Sequence, residues 1–111
     1  MLSKVWRLNS PKHFSFVYRC GHKLSFLGMV VWVVQLNHNK HTKIAVVVSK
    51  RVNKKAIMRN KYKRQILANI SQNLSKIPNK NHLIIISVKS NINKMNNNDL
   101  KIDILRFLNN F

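Results

Sequence analysis

Glutamate is absent from this 111-residue chain, and aspartate occurs only as Asp99 and Asp103. A hydrolase built on paired carboxylates or an acidic metal cage is therefore nearly excluded, and no catalytic or metal-ligating residue is assigned. Asp99 and Asp103 stand four residues apart and could share a helix face, but a helix cap and a solvated charge account for them more simply. Cysteine occurs once, at Cys20. That excludes an intrachain disulfide, fits a reducing compartment, and reads as a small packed apolar residue. With only Gly21 and Gly28, the chain has no glycine loop to cradle a phosphate. The longest apolar run, Met29 to Val34, falls well short of the roughly 18 residues of a membrane span. The segment MLSKVWRLNSPKHF lacks an apolar stretch followed by a small-residue cleavage site, so no secretory signal is expected. A cytoplasmic protein without a membrane partner follows.

What is present is positive charge. Lysine and arginine number 21, giving a formal net charge of +19. Such a chain repels itself until a polyanion neutralises it. A hydrophobic content of 45% is enough for a core, and the length suits one domain spanning 1–111. Sixteen asparagines, fifteen lysines and eleven isoleucines point to a compositional drift, so not every lysine is a contact.

NSPKHFSFVYRCG carries helix punctuation: Ser10 as N-cap, Pro11 in the first turn and Gly21 as a left-handed stop, predicting a helix over 11–20. Phe14, Val17 and Tyr18 share one face and Phe16 points elsewhere. This aromatic stripe is either core or a binding surface. Strand-like runs follow at 23–27, 29–36 and 43–49, with the polar break NHNKH predicting an antiparallel hairpin between the last two. His38 and His41 in that break, and the isolated His13, His22 and His82, suggest no metal site. HLIIISV, 82–88, is apolar enough to be buried on both faces. Tyr62, Ile66, Ile70 and Leu74 form an i+4 ladder with Met58 and Leu67 at its margins, predicting a helix over 54–75 that lies on the sheet and stops before Pro78. After a polar linker at 91–99, with Asp99 as N-cap, Leu100, Ile104, Leu105 and Leu108 mark a terminal amphipathic helix. The order helix, three strands, helix, strand, helix is an α+β (α/β) sandwich with a four-stranded sheet.

The segment SKRVNKKAIMRNKYKRQIL, 49–67, concentrates the charge. On a helix, Asn60 and Arg64 lie one turn apart, away from the Tyr62/Ile66 ladder, with Lys61 close by. Arg59 and Lys63 flank the ladder, and Lys50, Arg51, Lys54 and Lys55 extend the patch over the preceding strand exit. A merely solvated face would include glutamates in i, i+4 pairs, and none exists. Guanidinium forks, the Asn60 amide and the positive end of the helix suit phosphate, so nucleic acid is the expected partner.

AIMRNKYKRQI after a strand ending in VVSKRV resembles the signature of the bacterial ribonuclease P protein subunit, whose R-N-R-x-K-R core opens a long helix. RLNSPKHFSFVYRCG is similar to that family's entry helix at Arg7, Leu8, Phe14, Val17, Tyr18 and Gly21, and HLIIISVK to its last strand. The resemblance spans roughly 7–108. It implies a left-handed βαβ crossover and a protein that assists a catalytic RNA in removing the 5′ leader of precursor tRNA. Under it, Arg59, Asn60, Lys61, Lys63, Arg64, Lys54 and Lys55 bind the ribonuclease P RNA. Phe14, Tyr18, Lys50, Arg51 and Lys89 line a cleft for the leader. The protein itself is expected to bind no cofactor, with Mg2+ in the RNA active site. A structural ribosomal protein, or a metal-dependent endoribonuclease relying on Asp99 and Asp103, are the alternatives.

Overall fold

A computed structural model of the chain describes residues 6–36 and 40–110. His38 lies outside the described residues. The elements are α1 (Pro11–Cys20), β1 (His22–Ser25), β2 (Met29–Gln35), β3 (Lys43–Val47), α2 (Ala56–Gln72), β4 (His82–Val88) and α3 (Asn97–Leu108), with single 3₁₀ turns at Leu74–Lys76 and Ser90–Lys94. The second turn lies where the sequence suggests only a polar linker.

The sheet order is β1-β2-β4-β3. The expected β2–β3 hairpin does not form: β4 lies between them, antiparallel to β2 and parallel to β3, and the antiparallel hairpin is β1–β2. The physical reason is the composition of β4, whose Leu83, Ile84, Ile85 and Ile86 are all buried and need neighbours on both edges and both faces. The β2–β3 connection also grips the entry to β4. Leu36 N–H donates to the Asn81 carbonyl at 2.6 Å, Asn81 N–H to Lys40 at 2.8 Å, and Thr42 N–H to Asn79 at 2.9 Å. Asn81 adopts φ 73°, a left-handed conformation that asparagine tolerates better than most residues.

Alternation along the strands divides the core. Met29, Val31, Ile44, Val46, Ile84, Ile86 and Val88 face α2 and α3, and meet Tyr62, Ile66, Ile70, Leu100, Ile104 and Phe107. Val34, Leu83 and Ile85 face α1 and pack with Leu8 and Val17, joined by the half-buried Phe14, Phe16 and Trp32. Phe16 thus joins the same cluster as Phe14. The α3 ladder is also redistributed: Phe107 is fully buried and Leu105 is 37% exposed, because the buried stripe runs through 100, 103, 104, 107 and 108.

Gly21 stops α1 in extended geometry, φ −74°, not in the left-handed region. A Cβ there would lie 2.3 Å from the Val17 carbonyl oxygen, so close approach is what calls for glycine. Ser10 occupies the N-cap of α1 without a side-chain capping bond. At α3 the N-cap is Asn96, and Asp99 is its reciprocal partner in a capping box: Asn96 Oδ1 accepts from Asp99 N–H at 2.8 Å, and the Asp99 carboxylate accepts from Asn96 N–H. Cys20 is exposed, not packed, since α1 turns Val17 to the sheet and leaves its last residues outside.

Candidate nucleic-acid interface

The turn that leads into α2 is fastened by one amide. Asn93 Oδ1 accepts from the Tyr62 hydroxyl at 2.7 Å and from Asn53 Nδ2 at 3.0 Å, while Asn93 Nδ2 donates to the Val52 carbonyl at 2.6 Å. This fixes the segment carrying Lys50, Arg51, Lys54 and Lys55, all exposed. Lys54 and Lys55 precede the helix, because Asn53 Oδ1 takes the Lys55 N–H at 2.9 Å and Lys55 becomes the N-cap. Arg59 is half-buried, and its Nη1 donates to the carbonyls of Asn53 and Lys54 at 3.1 and 2.9 Å. It holds the turn as well as contributing charge.

Tyr62, Ile66 and Ile70 are buried against the sheet, so the helical rotation turns Asn60 and Arg64 outward, with Lys61 and Lys63 on the two flanks, all four exposed. Ile57, 78% exposed, lies on the outward side with them. The carboxylates that could neutralise this face are engaged elsewhere. Asp99 closes the capping box of α3. Asp103, expected as a solvated charge, is only 2% exposed and accepts from Leu27 N–H at 3.0 Å and Gly28 N–H at 2.9 Å, clamping the β1–β2 turn. The face that carries Asp103 packs against the sheet, which is why the acid is buried.

A second surface lies on the α1 side of the sheet. Register places Ser25, Val30, Ser87 and Val47 in one row across the four strands, and Lys23, Trp32, Ile85 and Ala45 in the next. Ile85 is buried beneath α1, but the first row is half-buried or exposed throughout, leaving a strip beside the helix. Tyr18, 43% exposed, meets Trp32 edge-on with centroids 5.0 Å apart, and Lys23 Nζ stands 5.7 Å from the Trp32 ring centre. Burial raises the Tyr18 phenol above its ordinary pKa, so it stays a neutral donor at physiological pH. Phe14 lies nearer β3, in a hollow of about 440 Å³ shared with Arg7, Leu8, Lys63 and Leu67, where the α1 side of the sheet meets the flank of α2.

Lys50 and Arg51 follow β3, and Lys89 follows β4; because these strands are parallel, all three lie at one end of the strip. The Lys89 ammonium donates to Ser25 Oγ at 2.8 Å and to the Phe26 carbonyl at 2.6 Å, so it braces the hairpin as it borders the strip. Lys23, Trp32, Val30 and Val47 are the members that sequence reasoning missed. Strand alternation could have put Trp32 and Val30 on one face, but only the register could bring Lys23 and Val47 to them.

Among the described residues no three His, Cys, Asp or Glu side chains come together. His41 Nδ1 lies 2.7 Å from the Thr42 carbonyl oxygen, beside Trp6. No helix among the described residues is long and apolar enough to cross a membrane.

Residues 2–111 match the family model described as Ribonuclease P. A ribonuclease P protein component from a Pseudanabaena species is 32% identical over 109 residues, covering 97% of this chain and 92% of the relative. One from Rippkaea orientalis is 34% identical over 97 residues, covering 84% and 76%. The Staphylococcus aureus RNase P protein superposes with a TM-score of 0.84 at 24% identity, covering 96% of this chain and 94% of that one. The Thermotoga maritima protein gives 0.80 at 21%, covering 95% and 96%. These two likenesses are of fold, and they share its mixed four-stranded sheet and three helices.

Proposed function

The chain belongs to the ribonuclease P protein family, and from that premise we propose that it is the protein partner of an endoribonuclease RNA, binding that ribonuclease P RNA through α2 and the 5′ leader of precursor tRNA through the strip beside α1. The observation that carries this reading is the engagement of Asp99 and Asp103 with backbone amides, which leaves the outward face of α2 without carboxylate neighbours among the described residues. Phosphates supply the missing counter-charge, and their binding releases condensed cations. Asn60, Lys61, Lys63 and Arg64 meet the RNA backbone; Lys54 and Lys55 extend the contact, and Arg59 holds the turn in place.

The leader is a single strand, and a strip of apolar and aromatic surface with lysines at its edge suits one of any sequence. Phe14, Tyr18 and Trp32 offer ring surface. Lys23, Lys50, Arg51 and Lys89 offer charge. The protein contributes neutralisation and substrate positioning, while the RNA and its Mg2+ ions break the phosphodiester bond. The reaction belongs to the cytoplasm, where precursor tRNA is matured.

Reconstitution tests the reading. Cleavage of precursor tRNA at the mature 5′ end is expected from RNA plus protein, with the protein lowering the Mg2+ requirement, and none from protein alone. Cutting at that bond by purified protein, or tighter binding to ribosomal RNA than to ribonuclease P RNA, would overturn it.

A further inference from the structure

Between the flank of α2 and the corner that opens α3 lies a hollow of about 370 Å³ to which no role has yet been given. Met58, Ile92 and Leu100 line its apolar part, and Lys61, Gln65 and Asn97 its polar part. Gln65 Nε2 and Asn97 Oδ1 are joined by a 3.0 Å hydrogen bond. A primary amide has one carbonyl and one amino group, so whichever of the two donates, one carbonyl and one amino group of the joined pair remain to take a further partner. Among the described residues neither has a further side-chain partner. Asn93, in the same corner, has both of its amide ends engaged.

A carbonyl beside an amide N–H is the complement of a base edge that presents an amino group next to a ring nitrogen, as adenine and cytosine do. Unpaired RNA bases are read this way, with apolar side chains against the flat face. Lys61 precedes Gln65 by one turn on the same flank of α2, a distance suited to the phosphate flanking such a base. We propose that this hollow holds one unstacked adenine or cytosine of the RNA lying along α2, its edge on Gln65 and Asn97 and its phosphate on Lys61. The inference rests on the RNA-facing reading of α2 and adds a base-reading pocket to a surface otherwise concerned with phosphates.

Dimethyl sulfate, which methylates N1 of adenine and N3 of cytosine, tests this on the complex with ribonuclease P RNA. With wild-type protein, one unpaired adenine or cytosine is expected to become protected. With saturating Asn97→Leu or Gln65→Leu, changes at half-buried or exposed positions on two different elements, that protection is expected to disappear. Affinity is expected to fall about tenfold in each with the salt dependence unchanged, whereas Lys61→Ala should lower the log–log salt slope by about 0.7 to 0.9. Identical methylation patterns in wild-type and variant complexes would overturn the pocket and leave the RNA-facing role of α2 standing. Failure of the wild-type protein to bind the RNA at low salt would overturn both.

Discussion

Residues 54–64 gather their cations along one stretch of chain, whereas the strip beside α1 takes Tyr18 from a helix, Lys23 and Ser25 from β1, Val30 and Trp32 from β2, Val47 from β3 and Ser87 from β4. The first surface needs only helix periodicity and a well-anchored turn to exist. The second exists only while four strands keep their register, and the β1–β2 turn within it is held by Asp103, by Lys89 and by Asn91 Nδ2, which donates to the Leu27 carbonyl at 3.1 Å. The two therefore differ in how they should fail. Loss of a tertiary clamp should spoil the assembled strip and spare the contiguous face.

Asp103→Ala breaks the comparison most sharply. It strands the Leu27 and Gly28 amides, one of them in a buried residue, and is expected to destabilise the fold by about 3 kcal/mol. Urea titration checks that figure, and in the folded protein leader affinity should drop more than affinity for the RNA. Lys63→Ala with Arg64→Ala attacks the other side. RNA affinity is expected to fall about thirtyfold, two solvent-exposed ion pairs at roughly 1 kcal/mol each, and the salt slope by about 1.4 to 1.8. Melting temperature should hardly change, since both side chains are exposed.

Trp32→Ala with Tyr18→Ala should cost about 1 to 3 kcal/mol in binding of leader-bearing tRNA and nothing for mature tRNA, as lost ring surface affects only the strand that lies on it. Tyr18→Phe is the smallest change. The ring remains, so leader affinity is expected to stay within about twofold. From about pH 7 to 9 Tyr18 should add no pH dependence, because its phenol, raised above the ordinary value by burial, keeps its proton in that window. Whatever stability the neutral phenol adds is fully present below the unfolded-state pKa and is lost progressively as pH rises from there through the folded-state value.

The same contrast explains what was legible from the residues. The basic face of α2 could be read from spacing, and the buried Tyr62, Ile66 and Ile70 lie where the ladder puts them. α1 over Pro11–Cys20 and β4 over His82–Val88 also keep the boundaries that punctuation and composition suggest. Strand pairing was not legible, because local pattern favours the nearest neighbour and says nothing of a later strand that must enter between β2 and β3. The burial of Asp103 was hidden for the same reason: its partners, the Leu27 and Gly28 amides, lie more than 70 residues away in sequence. Trp32 read as a strand residue. Only the register that sets it between Lys23 and Ile85, with Tyr18 against its edge, gives it a place on a binding surface.

The separation of the two surfaces can be measured directly in the reconstituted enzyme, by comparing binding of leader-bearing and leaderless tRNA for Lys63→Ala/Arg64→Ala and for Tyr18→Ala/Trp32→Ala. The account predicts that, once RNA and protein are assembled at saturating concentration, the α2 variant binds both substrates as the wild type does, while the strip variant loses affinity only for the substrate with a leader. Equal losses for both substrates in the strip variant, or a leader-specific loss in the α2 variant, would contradict it.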